Sequence, residues 1–188
     1  MLIAGNWKMN TDVPEGRALA DAIADGLSSA PSGVDAIDVL VCPPYVHLPA
    51  VRDALADSPV AVGAQDMHAK DEGAYTGDVS APMLTSIGCD AVILGHSERR
   101  EYYDETDADV NAKAKQARAH DLVPIVCVGE TLGQRRAGEA ASVVRRQVEG
   151  ALAGVPIAIK ENIAVKGVQP GHGSQALPGG PARFDDQI

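Results

Sequence analysis

The sequence lacks long apolar runs and has relatively few basic residues. No apolar stretch approaches the roughly 20 residues of a transmembrane helix, and Trp7-Lys8 interrupts the first apolar run, which does not fit a secretory signal. Sixteen Lys and Arg residues face 26 Asp and Glu residues, giving a formal net charge of −10. This balance argues against a nucleic-acid or membrane-surface partner. It does not exclude an anionic substrate, because one local lysine can oppose the overall field.

Cysteine is scarce as well. Cys42, Cys89 and Cys127 are an odd number, and each lies in or beside an apolar stretch. Reduced, buried thiols in a cytoplasmic protein are the simplest interpretation. Apart from His96, the histidines have no metal-ligand spacing with cysteines or acids. The sequence therefore predicts neither a metal site nor a cofactor.

Short apolar runs alternate with helical patterns through residues 1–155. The predicted strands are Leu2–Ala4, Ile37–Cys42, Val60–Ala64, Ala91–Leu94 and Leu122–Val128. Five β-then-α units in succession imply parallel strands with right-handed crossovers.

Two of the intervening helices have a predicted buried stripe. One follows Pro14 and carries Leu19, Ile23 and Leu27 at helical spacing. The other is predicted to run unbroken from Thr131 with Val144, Val148 and Leu152 in line.

The most informative segment is Gly95–Arg100, Gly-His-Ser-Glu-Arg-Arg, which directly follows the strand Ala91–Leu94. In barrels of alternating strands and helices, catalytic side chains come from the carboxyl ends of the strands. We expect the His96 ring to lie beside free backbone N–H groups at a helix start. Such groups disfavour a positive ring, so a neutral imidazole would donate one N–H to a substrate oxygen. The alternative is a capping or core histidine.

Asn6 and Lys8 lie at the end of the first predicted strand. They are two residues apart, so we expect their side chains on the same face. An ammonium fixed at this place can bind an anionic substrate and stabilise developing negative charge. The alternative is an ordinary surface lysine.

Six motifs carry a resemblance to a known family. They are Ala4–Asn10, Cys42–Pro44, Gly63–Asp66, Gly73–Asp78, Gly95–Arg100 and Cys127–Glu130. In order and approximate spacing, the chain from Met1 to about Val155 resembles triosephosphate isomerases. The resemblance implies an α/β fold of the TIM (β/α)8-barrel type. It is incomplete here, with five units in 188 residues where a closed barrel takes about 250.

The resemblance also implies an activity and its residues. The activity is an aldose–ketose isomerisation that interconverts dihydroxyacetone phosphate and glyceraldehyde 3-phosphate, without a cofactor. His96 is then the catalytic electrophile, and Asn6 and Lys8 contact the substrate. Glu98 would form an ion pair with Lys8, although a solvated acid at a helix start is the alternative. Arg99 and Glu130 would brace the loops after the fourth and fifth strands.

Two further positions have competing interpretations. Cys127 ends the fifth strand and is either a nucleophile or a packed thiol; we favour the packed thiol, because no general base is adjacent in sequence. The loop Gln65–Asp78 is either a mobile surface loop or, as the resemblance implies, the loop that reaches a neighbouring subunit. Thr76 would then brace the partner's active site in a homodimer.

Residues 156–188 differ from the rest of the chain. Ile157–Ile159 is compatible with a sixth strand, but the remainder is rich in Gly and Pro and has no helical stripe. Three more βα units of about 30 residues each do not fit, and the lid motif and glycine-rich phosphate loops of the resembled family have no counterpart. We therefore divide the chain into 1–155 and 156–188. Glu161 is either a substitute catalytic base or an unrelated acid.

Two functions from different classes follow. The first is a triosephosphate isomerase with activity reduced by the missing units. The second is a non-catalytic half-barrel that keeps a dimer surface and a partial anion site. Another phosphate-binding barrel enzyme is a weaker third option, disfavoured by Asn-Trp-Lys together with His-Ser-Glu-Arg-Arg.

Overall fold

Five parallel strands form one sheet whose spatial order follows the chain, β1-β2-β3-β4-β5. The computed structural model describes residues 1–30 and 37–155. The strands are β1 (Leu2–Asn6), β2 (Asp38–Cys42), β3 (Ala61–Ala64), β4 (Ala91–Leu94) and β5 (Val123–Val126). The helices are α1 (Val13–Ser28), α2 (Leu48–Ala54), α3 (Ala81–Ser86), α4 (Ser97–Tyr102), α5 (Asp107–Ala119), α6 (Leu132–Arg136) and α7 (Ala140–Ala151). This is the predicted succession of βα units, and it confirms the barrel-type fold over the described residues.

Side-chain hydrogen bonds define where several helices begin. Asp12 accepts from the Glu15 N–H at 2.9 Å, while Glu15 accepts from the Asp12 N–H at 3.1 Å. The same reciprocal capping box starts α5 at Thr106 and α6 at Thr131. Each box satisfies backbone donors that the first helical turn leaves free.

Alternate residues of the strands enter two separate apolar layers. Val41, Val62, Val92 and Leu94 face the helices and belong to the larger core. Leu40, Cys42, Ala91 and Ile93 face the opposite way and form a second cluster. Burial on both faces is the rule for parallel sheets, since helices cover one side and the barrel interior lies on the other.

The predicted long helix from Thr131 is wrong, because it is divided into α6 and α7. Gly138 lies between the two helices with a φ of 75°, a left-handed conformation that a continuous helix does not contain. The buried face of α7 is also shifted by one residue from the prediction. It comprises Val143, Gln147 and Ala151, where the helix packs on α5.

The stripe predicted for α1 is confirmed for Ile23 and Leu27, which are partly buried and pack against the larger core, but not for Leu19. The buried residues are Gly16 and Ala20, whereas Leu19 is 40% exposed. A Cβ on Gly16 would lie 3.4 Å from the Trp7 ring and 3.6 Å from the His47 ring. The helix therefore approaches the loop after β1 through its smallest residue, which turns Leu19 outward.

Candidate active site

The carboxyl ends of the strands meet at one edge of the sheet, because the strands are parallel and in register. Asn6 at the end of β1 pairs with Cys42 at the end of β2. At the other end of the sheet, Leu94 of β4 pairs with Val126 of β5. The loops that follow therefore gather Lys8, Gln65, His96 and Cys127 from four separate segments at this edge.

Lys8 is positioned by a loop and not by the strand. The prediction that Asn6 and Lys8 share a strand face is wrong, since β1 ends at Asn6 and Lys8 has a left-handed φ of 54°. Such a conformation costs a non-glycine residue about 1–3 kcal/mol and persists only where its surroundings enforce it. Here the Lys8 N–H donates to Asn6 Oδ1 at 2.9 Å, and the Lys8 carbonyl accepts from Gln65 Nε2 at 2.9 Å.

Gln65 is a residue that the sequence motif contained but for which it suggested no role. Its Nε2 also donates to the Cys42 carbonyl at 2.9 Å, which links the ends of β2 and β3 to the Lys8 turn. The Asn6 side chain is engaged with the Lys8 backbone, so its first function is to support the lysine. Its predicted contact with substrate stays a prediction.

Lys8 and Glu98 form the predicted ion pair. Lys8 Nζ lies 2.7 Å from Glu98 Oε1, although the two residues are 90 positions apart in the sequence. Both side chains remain open, at 49% and 43% exposure. The hydrogen bond from Lys8 lowers the pKa of the Glu98 carboxyl below its usual range.

His96 occupies the N-cap of α4 and lies beside this pair. Its Nδ1 accepts the Glu98 backbone N–H at 3.3 Å, and the same nitrogen is 3.4 Å from Glu98 Oε2. With Nδ1 accepting, a neutral ring carries its proton on Nε2. His96 is therefore both a capping residue, which was one alternative, and a ring with an N–H left to donate.

A cleft of about 850 Å³ runs beside His96, between the loops after β4 and β5. This volume lies in the range of small-molecule sites. Its wall is lined by His96, Ser97, Cys127, Gly129 and Glu130, among others.

The loop after β5 is held by a residue that sequence reasoning missed. Gln147 of α7 accepts the Gly129 N–H at 2.7 Å and donates to the Gly129 carbonyl at 3.1 Å. Glu130 contacts Arg135 of α6, so it braces this loop as predicted. The displaced α7 stripe explains why Gln147 was missed, because its position was not expected to face inward.

Cys127 packs against the inner apolar cluster, as the favoured interpretation had it. Burial raises the pKa of its thiol, and burial raises the pKa of Cys42 to about 12. A thiol with a raised pKa is a weak nucleophile at neutral pH. All three cysteines are free.

A second group of charges joins helix α5 to the loops after β3 and β4, and the residue spacing in the sequence does not indicate it. Lys113 of α5 contacts Asp66 at 2.8 Å and also contacts Glu105, while Arg99 contacts Asp66 at 2.9 Å. Burial raises the pKa of Asp66, and the neighbouring Lys113 and Arg99 oppose that rise. We call these four residues, Asp66, Arg99, Glu105 and Lys113, the buried charge cluster. Arg99 thus contacts Glu105 in the segment after β4, which the prediction included, and also Asp66 in the loop after β3, which the prediction did not include.

The loop Gln65–Asp78 has internal contacts that give it a defined shape. His68 and Tyr75 stack with ring centroids 4.0 Å apart, and His120 Nε2 lies 2.7 Å from Asp71 Oδ1. Thr76 is exposed at the far part of this loop.

No cluster of potential metal ligands occurs within residues 1–30 and 37–155. The helices in these same ranges include none with the length and apolar character of a membrane span.

Parallel strands with intervening helices, and charged side chains gathered where the strands end, define a protein of the TIM-barrel class. The family model for triosephosphate isomerase matches residues 1–166. The match passes Val155, where we predicted that the resemblance ends, and includes Glu161. The chain belongs to the triosephosphate isomerase family.

Individual relatives agree with this assignment. The chain is 50% identical to triosephosphate isomerase of Rhodopirellula baltica, over 88% of this chain and 63% of the relative. It is 48% identical to that of Chloroflexus aurantiacus, over 87% of this chain and 64% of the relative. The crystal structure of triosephosphate isomerase from Bartonella henselae is similar with a TM-score of 0.75 and 41% identity, covering 85% of this chain and 63% of that one. The chain thus spans slightly less than two thirds of the length of these relatives.

Proposed function

We propose that this chain carries the anion-binding and carbonyl-polarising side chains of a triosephosphate isomerase. The substrate would be a small phosphorylated triose, interconverted between dihydroxyacetone phosphate and glyceraldehyde 3-phosphate by proton transfer. The observation that supports this most directly is the 2.7 Å contact of Lys8 Nζ with Glu98 Oε1, immediately beside His96.

Lys8 would bind the substrate's negative charge and stabilise the charge that develops on its oxygen. Its ammonium is half exposed, so a substrate anion can reach it without a rearrangement of the core. The backbone contacts from Asn6 and Gln65 hold the lysine in place before the substrate arrives. A charge fixed in advance costs no reorganisation during the reaction, and this is the main source of electrostatic catalysis.

His96 would donate its Nε2 proton to the substrate carbonyl oxygen and take it back later in the reaction. The Glu98 N–H occupies Nδ1, which leaves Nε2–H as the ring's available donor. Proton transfer by a positioned group contributes about 10²–10⁴-fold to a rate.

The reaction also needs a carboxylate base at the substrate carbon. The carboxylates of Glu98, Asp66, Glu105 and Glu130 each lie in an ion pair with a cation. Glu161, the predicted substitute base, lies outside the described residues, as does the whole predicted tail 156–188. We therefore propose that the chain turns over triose phosphate at a small fraction of a full-length relative's rate.

The test is a coupled assay of the complete chain on dihydroxyacetone phosphate. We expect slow turnover that His96→Gln removes, and a Glu161→Gln variant with the rate of the parent chain. A parent rate equal to that of a full-length relative, lost in Glu161→Gln, would contradict the proposal and make Glu161 the base.

The pairing of these carboxylates also favours a second candidate, the non-catalytic half-barrel with a partial anion site. The two candidates differ in one measurement. A half-barrel without chemistry would bind inorganic phosphate through Lys8 but show no turnover above the His96→Gln background.

We propose in addition that the chain forms a homodimer through loop 65–78. The contacts of His68 and Asp71 keep this loop in a fixed shape while residues 70–78 stay exposed. Thr76→Arg would put a charge into a desolvated contact and is expected to shift sedimentation from dimer to monomer. Ser142→Arg, at an exposed position of α7, is the control, and a dimer that survives Thr76→Arg would remove this loop from the interface.

We also propose a cytoplasmic location and a domain boundary near Val155. The free state of all three cysteines supports the first, and the compact unit Met1–Val155 supports the second. Cell fractionation tests the location. Limited proteolysis tests the boundary, since first cuts inside 1–155 would contradict it.

A further inference from the structure

The Gly95 backbone, directly before His96, is held by two charged side chains. The Gly95 N–H donates to Glu105 Oε2 at 3.1 Å, and the Gly95 carbonyl accepts from Arg100 Nε at 2.8 Å. Its φ of 69° turns the chain sharply out of β4. The N–H belongs to the peptide plane before Gly95, and the carbonyl belongs to the plane that carries the His96 nitrogen. Both planes that lead into His96 are therefore fixed.

The Glu105 carboxylate that makes the first of these contacts has little freedom of its own. Its side chain is 4% exposed, and its other oxygen, Oε1, contacts the Lys113 ammonium and lies 3.6 Å from Arg99 Nε. Lys113 is in turn held by both oxygens of Asp66, at 2.8 and 3.0 Å. Two carboxylates and two cations balance, so the buried charge cluster carries no excess charge at this depth.

We propose that Glu105 is a positioning residue for His96, acting through the Gly95 peptide, and that Lys113 fixes Glu105 for this task. The inference rests on the proposed function, because the orientation of the His96 ring has a consequence for catalysis only if His96 acts on a substrate. Glu105 itself does not reach the cleft. Its effect is to set the approach of the chain to His96, and hence the contact of Nδ1 with the Glu98 N–H that leaves the proton on Nε2.

The variant Glu105→Gln tests the two acceptor oxygens of Glu105 without changing the size of the side chain. The amide keeps the shape of the carboxylate but has one acceptor oxygen, whereas Lys113 and the Gly95 N–H each need one. One of them then faces the amide NH2 group. We expect the Gly95 turn to shift, because an unpaired buried donor is costly and the glycine is the more adaptable neighbour.

The readout is the tautomer of His96 in the complete chain, measured by ¹⁵N NMR of the imidazole and assigned by the signals missing in His96→Gln. In the parent chain we expect one tautomer, with the proton on Nε2. In Glu105→Gln we expect both tautomers. Leu84→Ala is the control, because it removes a fully buried side chain of α3 and changes no residue of the buried charge cluster; it is expected to leave the tautomer unchanged.

The outcomes decide the proposal without any measurement of turnover. An unchanged His96 tautomer in Glu105→Gln, or an equal change in Leu84→Ala, would overturn it. If Glu105→Gln does not fold, hydrogen exchange of the parent chain still tests the contact. Exchange at the Gly95 amide slower than at the exposed Gly77 amide supports the proposal, and equal exchange contradicts it.

Steady-state kinetics provide a separate test of the same variant. If the parent chain is active, Glu105→Gln should lower kcat about 10²-fold, the scale expected for a misplaced catalytic group, with a much smaller change in KM. An unaltered kcat would count against the positioning role. A parent chain with no activity would remove the proposed function but leave the tautomer result to stand on its own.

Discussion

Two Lys–Glu pairs contact the turn that carries His96, one through Glu98 and the other through Glu105, and they differ mainly in exposure. The Lys8–Glu98 pair is 49% and 43% exposed, whereas Lys113 and Glu105 are 12% and 4% exposed. Water can replace either partner of the first pair, so the pair contributes little to the free energy of unfolding. The second pair is largely shielded from water, and a partner removed there leaves an uncompensated charge. The open pair is suited to exchanging its partner for a substrate anion, and the buried pair to holding the backbone still.

The largest expected effect of this difference in exposure is that of the variant Lys113→Met. The variant keeps most of the length of the side chain but leaves Asp66 and Glu105 without the ammonium they share. We expect the free energy of unfolding, measured by urea titration, to fall by about 3–5 kcal/mol. A loss below about 1 kcal/mol would mean that the cluster behaves like an exposed pair.

The backbone that the cluster holds gives the next effect. In Gly95→Ala, the new Cβ would meet Val110 Cγ2 at 2.8 Å and Arg100 Nη2 at 2.9 Å, at a φ of 69°. We expect a loss of about 1–3 kcal/mol from the conformation alone. Gly26→Ala is the matched control, because nothing lies within 4 Å of its Cβ inside α1, and there alanine should stabilise by about 0.5–1 kcal/mol. Equal effects at both positions would show that the turn is not constrained.

The two pairs also differ in what the sequence could predict. Lys8, Glu98 and His96 follow directly after apolar strands, and parallel strands bring their carboxyl ends to one edge. Their location at one edge could therefore be predicted from the strand pattern. The ion pair of Lys8 with Glu98 was implied by the family resemblance, and the contact is present.

The buried charge cluster has no comparable signal. Glu105 precedes α5 and Lys113 lies inside it, and this spacing is ordinary for a solvated helix. Only the packing of α5 against the turn after β4 makes them internal. Gln147 escaped prediction for a related reason, since its burial follows from the one-residue rotation of α7 on α5. The order and the ends of the strands could thus be predicted from the local pattern of apolar residues, whereas the face that a helix buries depends on its tertiary packing.

The variant Lys8→Met tests the exposed Lys8–Glu98 pair in the same way. We expect the free energy of unfolding to change far less than in Lys113→Met, since Glu98 can be solvated where it stands. Binding of inorganic phosphate, followed by NMR titration, should nevertheless be lost. A destabilisation as large as that of Lys113→Met would contradict the assigned difference between the pairs.

The smallest effect concerns pH. The hydrogen bond from Lys8 lowers the pKa of Glu98 from its ordinary value of 4.5. The folded state therefore favours the ionised form, and its stabilising contribution is present above pH 4.5 and lost as the pH falls through the lowered pKa. Carboxyl ¹³C titration should place the Glu98 midpoint below 4.5 in the parent chain and return it toward that value in Lys8→Met. Asp109 is the internal control, because the pKa of its carboxyl is lowered by hydrogen bonds from Thr106 and should stay low in the variant. A Glu98 midpoint that does not respond to Lys8→Met would mean that the ion pair is not maintained in solution.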